Sequence, residues 1–236
     1  MTNMGIRLVI DKGKFKNCTL ITGFHGYGQT GYIATSFLVH ALGAKRIGYV
    51  EVDHPPPFVA TAEKGLITPF EIYGKGELVL VKLEFSPHRS EEAEFAKVLA
   101  SWSIEEKFKQ AILIGGLDSS LKTSEHQLRI VPTQAYLAKQ RNLNAPALEP
   151  GLFIFGPLAI MLSEYEMRNF PAVAILPYAS PDIADPRAAA VAIRYVSKAH
   201  RLNVDVSQLE KDARQIEVEV EGKITQAKKS LQGMYA

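Results

Sequence analysis

Apolar positions along the chain change their spacing repeatedly, and each change marks an element. Ile6 to Val9 and Thr19 to Thr22 are short apolar runs separated by the polar turn DKGKFK, and they predict a first pair of strands. YIATSFLVHAL, from Tyr32 to Leu42, predicts a helix with Gly43 placed to cap its C-terminus. IGYVEV, from Ile47 to Val52, predicts the next strand. The prolines of DHPPPF, at positions 55 to 57, forbid helix and central strand and favour an extended polyproline II stretch. ITPFEIY and LVLVKLEF, separated by Gly74, Lys75 and Gly76, read as a hairpin, with Pro69 placing its first strand at a sheet edge.

The second half alternates in the same way. From Ser90 to Lys109 the pattern is helical, with Phe95, Val98, Leu99 and Trp102 forming one apolar stripe. AILIGGL, from Ala111 to Leu117, is apolar throughout, as a parallel strand buried on both faces requires. LRIV, from Leu128 to Val131, predicts a further strand. GPLAIMLSEYEMRNF predicts a helix entered at Gly156 and Pro157, and AVAILPY, from Ala172 to Tyr178, predicts the last buried strand. PDIADPRAAAVAIRYVSKAHRL begins with prolines and acids and continues as an amphipathic helix. Such alternation predicts an α/β sheet with helices on its faces.

The final segment is the most regular. Leu209, Ala213, Ile216, Val220, Ile224, Ala227 and Leu231 repeat with an eleven-residue period. At about 3.67 residues per turn, this keeps an apolar stripe nearly straight along one helix. The expected amphipathic helix covers 206–232, followed by a free tail at 233–236. Its stripe serves either to pack on its own body or to meet a sister subunit. The tail, Gly233 to Ala236, carries two large apolar side chains, Met234 and Tyr235, where a frayed terminus is ordinarily polar or small.

Composition narrows the function classes. The 236 residues are enough for one sizeable α/β core, and the expected organisation is a single domain over 1–236. A net charge of +2 points neither to nucleic acid nor to an anionic membrane. The single cysteine, Cys18, cannot form an internal disulfide or a zinc site alone, and it lies in an apolar run. MTNMGIRLVI lacks the layout of a signal peptide, and no apolar run is long enough to span a bilayer, so a cytoplasmic location is expected.

One motif invites an enzyme reading. Gly26, Gly28 and Gly31 spell G-x-G-x-x-G between a predicted strand and a predicted helix, and Glu51 and Asp53 end the next strand. A dinucleotide site needs that arrangement: glycines for close backbone approach, a helix N-terminus for the pyrophosphate and an acid for the ribose. Against it stand the bulky Phe24, His25 and Tyr27 within the loop and the stiff HPPPF that follows the acids. The structural alternative is a tight strand-to-helix turn. Asp118, Ser119 and Ser120 follow a buried strand, where α/β enzymes place site residues, but the commoner role is an Asx-type turn. The six histidines show no metal-ligand spacing. No catalytic residue, cofactor or metal is assigned.

The order of these landmarks carries a resemblance. TLITGFHGYGQTGYIATSFLVHALGAKRIGYVEVDHPPPF is similar to the opening of the proteasome assembly chaperone family. GPLAIMLSEYEMRNFPAVAILPYASPDIADPRAAAVAI and LNVDVSQLEKDARQIE resemble its later half. The match is closest to the archaeal, homo-oligomeric type. It implies a three-layer α/β/α sandwich with a mainly parallel central sheet, nucleoside-phosphorylase-like in architecture, plus a long C-terminal helix. It implies no enzyme activity and no cofactor. Members bind the α-subunits of the 20S proteasome and help its ring assemble, or act as ATP-independent activators. Tail-bearing members end in hydrophobic–tyrosine–any residue, which maps onto Met234, Tyr235 and Ala236. That tail enters a pocket between neighbouring α-subunits, where its carboxylate meets a lysine. The expected partners are therefore the 20S α-ring and further copies of this chain. The alternative remains a nucleotide-dependent or phosphorylase-like enzyme using the loop Gly26–Gly31.

Overall fold

The computed structural model describes residues 5–11, 13, 15–62, 65–140 and 143–219. In chain order the strands are β1 (Arg7–Ile10), β2 (Thr19–Gly23), β3 (Lys45–Glu51), β4 (Ala60–Ala62), β5 (Gly65–Ile67), β6 (Phe70–Lys75), β7 (Leu78–Leu83), β8 (Gln110–Ile114), β9 (Leu117–Asp118), β10 (Leu128–Pro132) and β11 (Ala172–Ala179). The helices are α1 (Thr30–Ala41), α2 (Glu92–Glu105), α3 (Gln134–Lys139), α4 (Pro157–Met167) and α5 (Pro186–His200). A sixth, α6, covers 207–219 up to the last described residue. The expected helix over 206–232 is thus seen through 219, and its remainder lies outside the described residues.

One nine-stranded sheet runs β1-β3-β6-β7-β2-β8-β11-β10, with β9 pairing to β11; β4 and β5 form a separate small hairpin. Helices cover both faces. Along the central strands alternate side chains go to opposite layers, as a period of two demands. Leu20, Leu113 and Leu176 join the core under α2 and α4. Ile21, Ile114 and Ile175 join the core under α1 and α5. The predicted stripe of α2 holds, with Phe95 and Leu99 fully buried. Beneath it, Tyr165 of α4 is fully buried and its hydroxyl lies 2.9 Å from Ser103 Oγ, which itself donates to the Ala100 carbonyl.

Three expectations are corrected. The sheet is mixed and not mainly parallel: β7, β2, β8 and β11 are parallel neighbours, while β1, β3, β6 and β10 pair antiparallel. The short turn between β6 and β7, with Gly76 at φ +57°, leaves no length for a parallel crossover. The first two strands are not partners. β1 pairs with β3 at the sheet edge, where its half-exposed alternation belongs, and the fully buried β2 takes a place in the centre. Finally, Pro69 does not put its strand at an edge. β6 begins one residue later and lies between β3 and β7. Outside the ladder, Pro69 needs no N–H, and its carbonyl accepts from Glu84 N at 2.9 Å.

Between β3 and β6 a buried carboxylate is neutralised. Glu71 is 1% exposed and accepts from Arg46 at 2.8 Å, from Tyr73 at 2.5 Å and from the Thr68 backbone N–H at 3.1 Å. Arg46 also donates to the Leu66 carbonyl at 2.5 Å, which ties the β4–β5 hairpin to the sheet. The charge is tolerated because every group near it donates.

The centre of the sheet holds its closest contact. A Cβ on Gly31, in the first turn of α1, would stand 2.4 Å from the Ile114 carbonyl oxygen; one on Gly23 would stand 2.5 Å from Gly31 Cα. β2, α1 and β8 therefore meet backbone to backbone. Gly31→Ala is expected to lower unfolding free energy by about 1–3 kcal/mol or more, because the opposing atoms are main chain and cannot step aside. Urea denaturation that leaves the midpoint unchanged would refute this contact.

At the opposite end of the sheet, burial pushes the pKa of His200 below its ordinary value of 6.5, and Lys109 adds to the effect. The unfolded chain then binds the proton more readily, so this contribution to stability is complete above 6.5 and is lost as pH falls below it. The melting temperature is expected to fall between about pH 7.5 and about pH 5.5, and His200→Gln to make that fall shallower. Identical slopes for the two proteins would count against the assignment.

Candidate functional site

At the C-terminal ends of the parallel strands the chain leaves β2 toward α1 on one face and β7 toward α2 on the other. Ligand sites of α/β sheets form at such reversals. Here a cavity of about 380 Å³ opens between the loop after β2, the end of β8 and the entry to α4. Phe24, Tyr27, Phe153 and Phe155 bring aromatic rings to its wall, and Leu176 of β11 also lines it. Glycines make room: a Cβ on Gly116 would stand 2.4 Å from the Tyr27 carbonyl oxygen, whereas one on Gly26 would meet nothing within 4 Å.

The loop 24–30 is held from several sides. Gly28 has φ +61°, and a Cβ there would meet Asp185 Cβ at 2.7 Å. Asp185 N donates to the Gly28 carbonyl at 2.8 Å, while the Asp185 carboxylate accepts from Ala188 N and Ser180 N. The loop and the start of α5 are thereby locked together. His25 stacks on Tyr32 with ring centroids 4.6 Å apart, and Tyr32 donates to Glu84 at 2.8 Å. Burial pushes the Tyr32 hydroxyl up to about 12, with the Glu84 hydrogen bond acting the same way. Burial also lowers the His25 pKa, against the opposing pull of Glu84.

This geometry separates the parts of the G-x-G-x-x-G reading. Gly31 serves helix–strand packing and Gly28 faces Asp185, so their contacts are internal. Glu51 ends β3, which is separated from β2 by β6 and β7. Three strand spacings amount to about 14 Å, too far for an acid to meet a ribose held at the loop. Glu51 instead pairs with Arg7 at 2.5 Å. Asp118 makes the expected turn, accepting from Ser120 N at 2.8 Å, which holds its carboxyl below the usual range.

Some groupings were invisible in the sequence. His54 and His88 stack with centroids 5.0 Å apart, and His54 Nδ1 lies 2.7 Å from Glu91 Oε1. The aromatic wall of the cavity joins residues more than a hundred positions apart. Its one local signal was GLFIFGP, two glycines bracketing alternate phenylalanines. Among the described residues no group of three or more His, Cys, Asp or Glu is placed to hold a metal ion. No helix among them is long and apolar enough to cross a membrane.

The sequence-predicted site, Met234, Tyr235 and Ala236, lies outside the described residues. The start of the helix leading to it is described. Leu209 and Ala213 are buried, Leu209 in the core shared by α1 and α5, whereas Val218 is 68% exposed. Arg194 pairs with Glu210, and Arg187 pairs with Glu217 at 2.8 Å. As numbers fall along α5 they rise along α6, so the two helices run antiparallel. Residue 217 therefore lies toward the end of the molecule that carries Asp185 and the cavity.

Comparison with known proteins places this architecture. The model of the PAC2 family matches residues 20–223. An uncharacterized protein of Methanocaldococcus jannaschii is 26% identical over 217 residues, covering 88% of this chain and 87% of its own. The crystal structure of Pyrococcus furiosus PbaA, described as an archaeal homolog of proteasome-assembly chaperone, superposes with a TM-score of 0.82 at 25% identity, over 98% of this chain and 96% of that one. Pyrococcus furiosus PbaB, described as an archaeal proteasome activator, shares the fold with a TM-score of 0.76 at 19% identity, over 94% and 99% of the two chains. A family match running from the central strand β2 past the last described turn of α6, on a body that superposes almost end to end, makes this chain a member of the PAC2 family.

Proposed function

We propose that this protein is a proteasome assembly chaperone or ATP-independent proteasome activator, cytoplasmic and without chemistry of its own. In this reading Met234, Tyr235 and Ala236 contact the 20S α-ring. The supporting observation is the near-complete structural likeness to PbaA. The antiparallel seat of α6 on α5 adds a reason for the tail's use, because it gives the segment a rigid base.

The energetics favour several tails acting together. Burying Met234 and Tyr235 contributes about 1.5–3 kcal/mol each. A terminal carboxylate held by a lysine adds about 1.5–3 kcal/mol. Ordering three free residues costs about 1–2 kcal/mol each, and association costs several more. The sum is near zero, so one tail binds feebly. Copies of this chain joined in a homo-oligomer present their tails to repeated pockets at high effective concentration.

Deleting Met234 to Ala236 is expected to leave fold and oligomer unchanged and to abolish capture of proteasome α-rings. Tyr235→Ala is expected to cause most of the same loss. Pull-down with α-rings, alongside size-exclusion chromatography of each variant, makes the measurement; undiminished capture by both variants would overturn the tail assignment. A protein that is monomeric and still binds tightly would overturn the multivalent mechanism.

A further inference from the structure

We propose that the cavity at the ends of β2 and β8 is a binding site for a small flat aromatic compound bearing a protonated amine. Its volume, about 380 Å³, lies within the range of about 300–1,000 Å³ typical of small-molecule sites. The walls are aromatic and aliphatic, which suits a planar apolar body.

The charge of the site selects among such bodies. Glu92, the first residue of α2, lines the cavity and makes no hydrogen bond or ion pair among the described residues. Among the described residues no lysine or arginine lines it, and burial lowers the pKa of His25, the imidazole in its wall, so that base is neutral near pH 7. A phosphate or carboxylate ligand would therefore meet an unpaired like charge, whereas an ammonium group gains a counter-charge and aromatic faces. The same charge disfavours nucleotides, independently of where Glu51 lies.

A flap completes the site. Gly151 at φ +91° and Gly156 at φ +78° bracket the non-helical segment 152–155. Alternate residues of an extended chain face the same side. Phe153, Ile154 and Phe155 all line the cavity; Ile154 also packs against the core, whereas Phe153 and Phe155 are 79% and 68% exposed. Phe155 already meets Tyr27 edge to face, with centroids 6.3 Å apart. Two large rings in water beside a cavity have apolar area to bury when a planar guest arrives.

The test uses tryptamine, indole and indole-3-acetate as probes on the full chain, by calorimetric titration and saturation-transfer NMR. Tryptamine is expected to bind saturably and about tenfold more tightly than indole, with indole-3-acetate weakest. Glu92→Gln is expected to bring tryptamine down to the level of indole. Phe153→Ala combined with Phe155→Ala is expected to weaken both by about tenfold, with an unchanged melting temperature because both rings are exposed. Equal binding of the three probes, no saturable binding at millimolar concentration, or a Glu92→Gln variant that keeps the preference would each overturn the proposal. None of these outcomes depends on Met234 to Ala236, so the site and the proteasome reading stand or fall separately.

Discussion

The backbone contact of β2, α1 and β8 is the constraint on which the rest of the molecule depends. Gly23, Gly31 and the Ile114 carbonyl meet where no side chain fits, and this draws the helix onto the central strands. Once α1 is there, Ala34 and Leu38 are buried with Ile21, Ile112 and Ile114, and one core layer is built. The same approach fixes where the chain reverses. The loop between β2 and α1 must pass over the end of β8, and the space it leaves becomes the cavity. A glycine motif that resembles a phosphate cradle is thus explained by packing.

Burial on both faces explains the order of strands. β2, β8 and β11 are buried at nearly every position, so each needs a helix above and below and a strand on either side. Strands with alternating exposure, such as β1, take the rim. β6 and β7 pair antiparallel because the turn between them is too short to cross the sheet, whereas the parallel strands of the centre are joined through helices. Fold and cavity are consequences of the same sorting.

α6 joins this body to the segment proposed to reach the proteasome. Leu209 joins the layer formed by α1 and α5, and Ile216, further along the same stripe, is half-buried. The exposed ion pairs to α5 contribute little energy, but they align the helix and set its direction. Over the described residues the apolar stripe serves as core at Leu209.

The elements themselves were legible from residue spacing. The stripe Phe95, Val98, Leu99 and Trp102 specified α2, and the unbroken run from Ala111 specified a buried strand, because helix and strand periods are local properties. The tail residues were named from their order and from resemblance to a family, not from any contact. What the chain alone did not determine was neighbourhood. That β1 joins β3, that Pro69 stands outside its strand, and that Phe155 comes to Tyr27 are decided by pairing between distant segments. Local pattern says which face of a strand is apolar; only the closed core says which other strand or helix covers it, because that choice minimises exposed area over the whole chain at once.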